Sequence, residues 1–210
     1  MSQVTSGVRG LLSYPLIYDS FQSVLGVKSA RRKYVSKYIR PNQGSRLLDI
    51  GCGTGQILNY LPESVEYHGY DLSQEYIDLA MASYGERGFW HCASVSEIEA
   101  LEYSSFDIVM ANGVLHHLDD RQVKETVGKA ALALKSGGRF CSLDGCFIDD
   151  QNPIARFLVS QDRGRNVRSP EDYQTLISPF FDTVELTVRH DMLRLPYTHA
   201  ILVGTKADQR

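Results

Sequence analysis

Long hydrophobic runs are missing from this chain of 210 residues. No segment approaches the ~18 consecutive apolar residues that a helix needs to span a bilayer. The N-terminus also lacks a charged stretch followed by an apolar one, which is the pattern of a secretory signal. These absences predict a cytoplasmic protein that makes no contact with a membrane.

A strong excess of charge of either sign is missing as well. The 22 Lys and Arg residues nearly balance the 25 Asp and Glu residues, which leaves a net charge of −3. Because a protein that grips nucleic acid needs a broad positive field, this balance predicts a small-molecule substrate and no nucleic-acid partner. The length and the hydrophobic content of 43% fit one ordinary globular domain, as a monomer or homodimer.

Cysteine is scarce and scattered along the chain. The four cysteines are Cys52, Cys92, Cys141 and Cys146, and none of their spacings is C-x-x-C. Such cysteines are typical of reduced thiols in a cytosolic protein. We therefore expect neither a disulfide nor a bound metal.

Hydrophobic periodicity predicts strands that alternate with helices over the first 145 residues. The predicted strands are 46–50, 66–70, 89–92, 106–111 and 139–143, and the predicted helices are 28–39, 56–61, 76–84 and 120–135. The almost continuous apolar character of 106–111 is typical of a parallel strand covered on both faces. The fold class is therefore α/β, with a doubly wound, mostly parallel sheet.

The rest of the chain is expected to add to this core within a single domain, 1–210. Its parts are an N-terminal helical cap (1–40), the core (41–145), an irregular, arginine-rich excursion on the substrate side (146–179) and a C-terminal hairpin (180–210). The hairpin has two β runs separated by a turn, and we expect them to pair in antiparallel fashion at one edge of a seven-stranded sheet.

A glycine loop follows the first predicted strand. The strand delivers Asp49 into Gly51-x-Gly53-x-Gly55, where glycines permit positive φ and let the backbone approach a ligand beside a helix start. Such a loop can hold a nucleotide-like cofactor. Taken alone it is a weak signal, and a purely structural turn stays open as the alternative.

The surrounding motifs make the signal specific. In order and spacing, LLDIGCGTG, the acidic Asp71 that closes the second strand, FDIVMANGVLHHL and LKSGGRF resemble the class I S-adenosylmethionine-dependent methyltransferases. The resemblance covers roughly residues 46–145. It implies a Rossmann-like fold, and S-adenosylmethionine as the cofactor.

The resemblance also implies which residues contact the cofactor. The expected set is Asp49, Gly51, Cys52, Gly53, Gly55, Asp71, Leu72, Ser94, Val95, Asn112 and Gly113, with Tyr14 and Tyr18 from an N-terminal segment that closes over the site. The glycines would line the methionine part, with Asp49 near its ammonium group directly or through water. Asp71 would accept both ribose hydroxyls, while Leu72 would lie against the adenine.

Two positions depart from patterns found in such enzymes. Ser94 stands where the family usually has an aspartate that meets the adenine amino group, so the contact there is expected to be weaker. The tetrapeptide N/D-P-P-Y/F, typical of enzymes that methylate amide or nucleobase nitrogens, is replaced by Asn112-Gly113-Val114-Leu115. The replacement argues against modification of nucleic acid.

Methyl transfer needs alignment and, for some acceptors, a base. His116 and His117 follow the fourth strand at the edge where open α/β sheets bind ligands. The sequence puts His117 ahead of His116 as the candidate catalytic base, with loop packing as the alternative role. Candidate substrate-binding residues are Gln22, Arg163, Arg165, Arg168 and Tyr197.

The arginines of this set favour an anionic group on the substrate, because guanidinium binds carboxylate or phosphate in a bidentate manner. The sequence thus predicts transfer of a methyl group to an O or N atom of a small, anionic metabolite. Two alternatives stay open. One is a catalytically silent relative that binds the cofactor as a partner subunit or sensor, and the other is an NAD(P)-dependent reductase.

Overall fold

A seven-stranded sheet organises the chain in the computed structural model, which describes residues 25–94, 97, 104–162 and 164–208. The strands are β1 (Arg46–Ile50), β2 (Glu66–Asp71), β3 (Phe89–Cys92), β4 (Phe106–Asn112), β5 (Leu134–Gly145), β6 (Thr183–Arg189) and β7 (His199–Thr205). Their order in the sheet is β3-β2-β1-β4-β5-β7-β6. The first five strands are parallel, and β7 pairs antiparallel with both β5 and β6. The predicted fold class and the C-terminal hairpin are confirmed.

The described residues contain five α-helices. They are α1 (Val27–Tyr34, continued by a wider turn over Val35–Ile39), α2 (Gln74–Tyr84), α3 (Asp120–Ala133), α4 (Pro153–Ser160) and α5 (Pro170–Ile177). One face packs against α3 and α5, and the other packs against α1 and the short 3-10 turn Gln56–Tyr60. None of the described helices has the length and apolar character required to cross a membrane.

Helix α3 begins where the sequence places it. The carboxylate of Asp119 accepts the backbone N–H of Gln122 at 2.8 Å, and the Gln122 side chain accepts the N–H of Asp119 at 3.0 Å. This reciprocal capping box satisfies two donors at the first turn. Val123 and Val127 then lie fully buried against the sheet. The helix is thereby fixed directly behind the turn that follows β4.

Three predicted elements differ in the structure. The segment 56–61 is a 3-10 turn instead of an α-helix. Strand β5 begins at Leu134, immediately after α3, so it starts before the predicted strand 139–143 and includes the last residues of the predicted helix 120–135. The excursion 146–179 contains α4 and α5, each starting with a proline behind a capping side chain, Asn152 or Ser169. Sequence periodicity is too short in these eight-residue helices to stand out from irregular chain.

We expect Asp119→Ala to lower the free energy of unfolding by about 1 kcal/mol, because two helix-start donors lose their partners. Chemical denaturation followed by circular dichroism measures the change. Lys124→Ala, an exposed position on the same helix, is the control and should leave the stability nearly unchanged. Equal stabilities of the two variants would contradict the capping role.

Candidate active site

The predicted cofactor residues meet at the carboxyl edge of the parallel strands. β1 lies between β2 and β4, so the chain that leaves β1 turns one way and the chain that leaves β4 turns the other. This reversal of strand order opens a crevice, where open α/β sheets bind their ligands. Ile50 pairs with both Tyr70 and Ala111, which puts the glycine loop, Asp71 and Asn112 side by side.

The glycine loop is fixed from behind and open in front. The backbone N–H groups of Gly51 and Cys52 donate to the carbonyl of Tyr70 at 2.7 and 3.0 Å. A Cβ on Gly51, which has φ +71°, would lie 2.5 Å from the side chain of Val114. A Cβ on Gly53, with φ +54°, would meet no described atom within 4 Å. The loop therefore needs glycine for packing at Gly51 and offers open space for a ligand at Gly53.

Asp71 joins the loop to the end of β2. One carboxylate oxygen accepts the N–H of Gly53 at 2.9 Å, and the other accepts the N–H of Ser73 at 2.9 Å. Each oxygen has a second lone pair, so the carboxylate can still accept two hydroxyl groups in one plane. The adjacent Leu72 side chain is 57% exposed. An adenosine, with its ribose diol and flat apolar base, fits these two neighbours.

Asp49 is a buried carboxylate beneath the loop. Its side chain accepts the hydroxyl of Tyr67 at 2.6 Å and is only 3% exposed. Burial raises the pKa of Asp49 to about 7, although the hydrogen bond from Tyr67 acts in the opposite direction, and the charge of Asp71 raises it further. An ammonium group placed here would stabilise the charged form. The same burial and the two carboxylates raise the pKa of the Cys52 thiol, so it stays protonated.

The residues past β3 and β4 complete the edge. Ser94 follows β3, and its N–H donates to Glu97 at 2.9 Å. Asn112 ends β4, and its side-chain oxygen is buried without a hydrogen-bond partner among the described residues. Gly113 donates its N–H to the carbonyl of Leu143 at 2.8 Å. The side-chain oxygen of Asn112, at the end of β4, can therefore still accept a hydrogen bond.

The two histidines after β4 occupy different surroundings. His117 is exposed to solvent, whereas His116 is only 5% exposed. Nδ1 of His116 lies 2.8 Å from Asp144, and Nε2 lies 3.4 Å from Asp162. Burial alone would lower the pKa of His116, but the hydrogen bonds to these carboxylates raise it to about 9. His116 is therefore the histidine built into the buried edge, whereas His117 faces solvent, and the choice of His117 as the candidate base stays a prediction.

Asp144, Asp162 and Tyr197 form a connected set with His116. Asp144 stands near the end of β5 and is 1% exposed. Tyr197, in the turn before β7, donates its hydroxyl to Asp162 at 2.5 Å. Neither aspartate was predicted from the sequence. The position of Asp144, just after the fifth predicted strand, was a usable signal, whereas Asp162 reaches the site only through the packing of the chain after α4.

The arginine-rich excursion does not gather an anion site in the described residues. Arg168 uses all of its side-chain nitrogens on the protein itself, with Leu115, Leu118, Asn166 and Asp120 as acceptors at 2.7 to 3.0 Å. Arg168 therefore stabilises the turn that carries His116. The structure does not support the predicted contact between Arg168 and a substrate. Arg165 is exposed to solvent.

An arginine that was not predicted from the sequence, Arg31, lies beside the glycine loop. Arg31, on α1, donates from Nη1 to the side chain of Gln56 at 2.7 Å, and Gln56 directly follows Gly55. Its place on an ordinary amphipathic helix gave no local signal. The predicted residues Tyr14, Tyr18, Gln22, Val95 and Arg163 lie outside the described residues.

Comparison with known proteins shows which class of enzyme this chain resembles. Residues 48–140 match the family model described as "Methyltransferase domain". The chain is similar to an uncharacterized methyltransferase of Anoxybacillus flavithermus, with 22% identity over 72% of this chain and 66% of the relative. It is also similar to a ubiquinone biosynthesis O-methyltransferase of Aromatoleum aromaticum, with 35% identity over 46% of this chain and 42% of the relative.

A solved structure agrees in fold. It is the 1,6-didemethyltoxoflavin-N1-methyltransferase of Burkholderia thailandensis, solved with 1,6-didemethyltoxoflavin and S-adenosylhomocysteine bound. The TM-score is 0.66 at 19% identity, over 95% of this chain and 86% of that one. The resemblance to the class I methyltransferases is confirmed: residues 48–140 match the methyltransferase domain, and the relatives that the chain resembles are methyltransferases. The chain spans 42% to 66% of the length of the two relatives named above.

We expect the affinity for S-adenosylhomocysteine to fall as the pH is lowered below about 7, by at most about tenfold per pH unit. Asp49 holds a proton below its raised pKa, which is about 7, and an ammonium group favours the deprotonated form. Binding at pH 6 should therefore release a proton, and calorimetry in two buffers of different ionisation enthalpy measures it.

Two controls isolate Asp49 in this measurement. Methylthioadenosine lacks the amino-acid portion and should bind without this proton release. Asp49→Asn should bind S-adenosylhomocysteine more weakly and with no release below pH 7. Undiminished proton release in the variant would show that another group titrates.

Proposed function

We propose that this chain transfers the methyl group of S-adenosylmethionine to an oxygen or nitrogen atom of a small molecule. The observation that carries the proposal is the joint geometry of Asp71 and the open loop at Gly53, linked at 2.9 Å. When bound, the cofactor supplies a methyl group already activated by a sulfonium. The protein therefore has to hold the cofactor, align it with the acceptor and exclude water. The residues at this edge suit those duties.

Charge complementarity assigns a role to each side of the methionine part. Asp49 would face the ammonium group, for which a buried carboxylate is the natural partner. Arg31 would face the carboxylate, because it brings a guanidinium next to the residue that follows the loop. Asp71 and Leu72 would take the ribose and the adenine.

The acceptor would sit between the ends of β4 and β5. Asn112, His116 and Asp144 border that place, and a surface pocket of about 510 Å³ is lined by Tyr197 together with Ile148, Leu193 and Pro196. The lining of the pocket includes one carboxylate, Asp150, and one guanidinium, Arg194, so it lacks the positive field that a nucleic-acid strand needs. With Arg168 bound to the protein, the anionic character expected from the sequence is not part of the proposal.

Calorimetry with S-adenosylhomocysteine, followed by transfer of a labelled methyl group to a panel of phenols, alcohols and amines, tests the proposal. Asp71→Asn should weaken binding of both S-adenosylhomocysteine and methylthioadenosine by about tenfold or more, since both contain the ribose diol. Asp78→Asn, on the exposed side of α2, is the matched control.

The alternatives predict other outcomes of the same experiment. NADH binding in place of S-adenosylhomocysteine binding would contradict the proposal and favour a reductase. Binding of S-adenosylhomocysteine without turnover on any acceptor would favour the silent relative. Labelled product from one member of the panel excludes both.

We expect Arg31→Ala to weaken S-adenosylhomocysteine binding by about tenfold, equivalent to roughly 1.4 kcal/mol, because the ligand carboxylate loses its cation. Methylthioadenosine, which has no carboxylate, should bind the variant as it binds the unmodified protein. Arg32→Ala removes a neighbouring exposed arginine of the same helix and should change neither affinity. A loss of affinity shared by both ligands would mean that Arg31 acts on the loop and not on the carboxylate.

A further inference from the structure

A second surface pocket lies at the amino edge of the parallel strands, opposite the predicted cofactor residues. It has a volume of about 700 Å³, within the range of small-molecule sites. Its lining includes Asn42, which precedes β1, and Arg139, which pairs with Ile108 near the start of β4. The glycine loop begins at the other end of β1, and the five residues of that strand span roughly 16 Å. The pocket is therefore separate from the site described above.

Four polar side chains of this pocket carry donor groups that no described residue accepts. They are the guanidinium of Arg40, Nε and Nη1 of Arg139, the amide of Asn42 and the hydroxyl of Tyr60. No carboxylate is among the described residues of the lining, and Glu63, the acidic residue closest to it in sequence, is exposed and lies outside it. The pocket thus presents positive charge and N–H groups, which are the complement of an anion.

Arg139 connects the two guanidinium groups of the pocket. Its Nη2 donates to the carbonyl of Ile39 at 2.8 Å and to the carbonyl of Arg40 at 3.0 Å. These carbonyls end the helical segment that begins with α1, and the negative end of a helix dipole would repel an anion. Because Arg139 binds both carbonyls and still has two nitrogens available, the pocket keeps its positive character.

The backbone of Arg40 is unusual for a residue with a long side chain. Its φ is +45° and its ψ is +58°, in the left-handed region that glycine usually occupies after a helix. Its N–H donates to the carbonyl of Val35 at 2.8 Å and so closes a wider turn, a form that is rare and frequent at functional sites. No described contact of the side chain accounts for an arginine in this conformation, whereas an anion in the pocket would.

We propose that this pocket binds an organic phosphate, whose phosphate group is bound by Arg40 and Arg139. Two guanidinium charges match a phosphate dianion better than a carboxylate, and each guanidinium can donate to two phosphate oxygens. The organic part of the ligand contacts the apolar lining, which consists of Tyr60, Pro41 and Pro62. The inference concerns a different place from the methyl-transfer site and does not rest on the proposed function.

A matched pair of probes tests the inference. Phenyl phosphate and phenol share the ring and differ in the anionic group. We expect phenyl phosphate to bind at least about tenfold more tightly than phenol in an NMR titration, which corresponds to roughly 1.4 kcal/mol. The amide signals that move should include those of Asn42 and Gly44. Inorganic phosphate should bind more weakly than phenyl phosphate, because it lacks the ring that contacts Tyr60.

Arg40→Gly separates binding from folding. Glycine suits the left-handed backbone at this position, so the variant should be at least as stable as the unmodified protein in thermal denaturation. It should nevertheless bind phenyl phosphate at least about tenfold more weakly, because one of the two guanidinium groups is lost. Lys124→Ala removes one positive charge from an exposed position of α3. This control should keep the full affinity, which excludes a general effect of net charge.

Other results would overturn the inference. They are equal affinities for phenyl phosphate and phenol, inorganic phosphate binding as tightly as phenyl phosphate, no binding of phenyl phosphate at millimolar concentration, or undiminished binding in Arg40→Gly. The last result would mean that the phosphate binds elsewhere, for example at the glycine loop. Since S-adenosylhomocysteine takes no part in this titration, each outcome leaves the proposed function untouched.

Discussion

The burial of two carboxylates at one edge of the sheet is the constraint on which the site depends. Asp49 and Asp144 are 3% and 1% exposed, near the ends of β1 and β5, the two strands on either side of β4. A buried charge is tolerated only with donors close by. Tyr67 supplies one to Asp49, and His116 supplies two to Asp144. The two carboxylates therefore dictate the conformations around them, since each needs a particular side chain in a particular place.

Much of the fold and the cofactor side could be predicted because their signals are local. The strand that carries Asp49, the glycine turn and the acidic end of β2 lie within about 25 consecutive residues, and their chemistry depends on backbone conformation and spacing. The capping box of α3 is likewise contained in four residues, from Asp119 to Gln122. Local signals of this kind do not depend on how the rest of the chain folds.

The acceptor side resisted prediction because it is assembled from distant parts of the chain. His116 meets Asp144 across 28 positions, and Tyr197 meets Asp162 across 35. Each of these residue types is common on loops, so nothing in its neighbours indicates a contact. Arg168 shows the opposite error. A cluster of arginines predicts an anion site, yet the guanidinium of Arg168 donates to backbone carbonyls of the turn after β4. A competing intramolecular acceptor is invisible without the fold.

The two sides of the site also differ in how completely their polar groups are satisfied. On the cofactor side, Asp71 and the loop amides already have partners, so a ligand adds to an existing network. On the acceptor side, Asn112 and Asp144 each keep a buried oxygen without a donor among the described residues. Buried acceptors without donors reduce the stability of the free protein. The cofactor side is therefore complete in the free protein, whereas the ends of β4 and β5 still contain acceptors that no described donor satisfies.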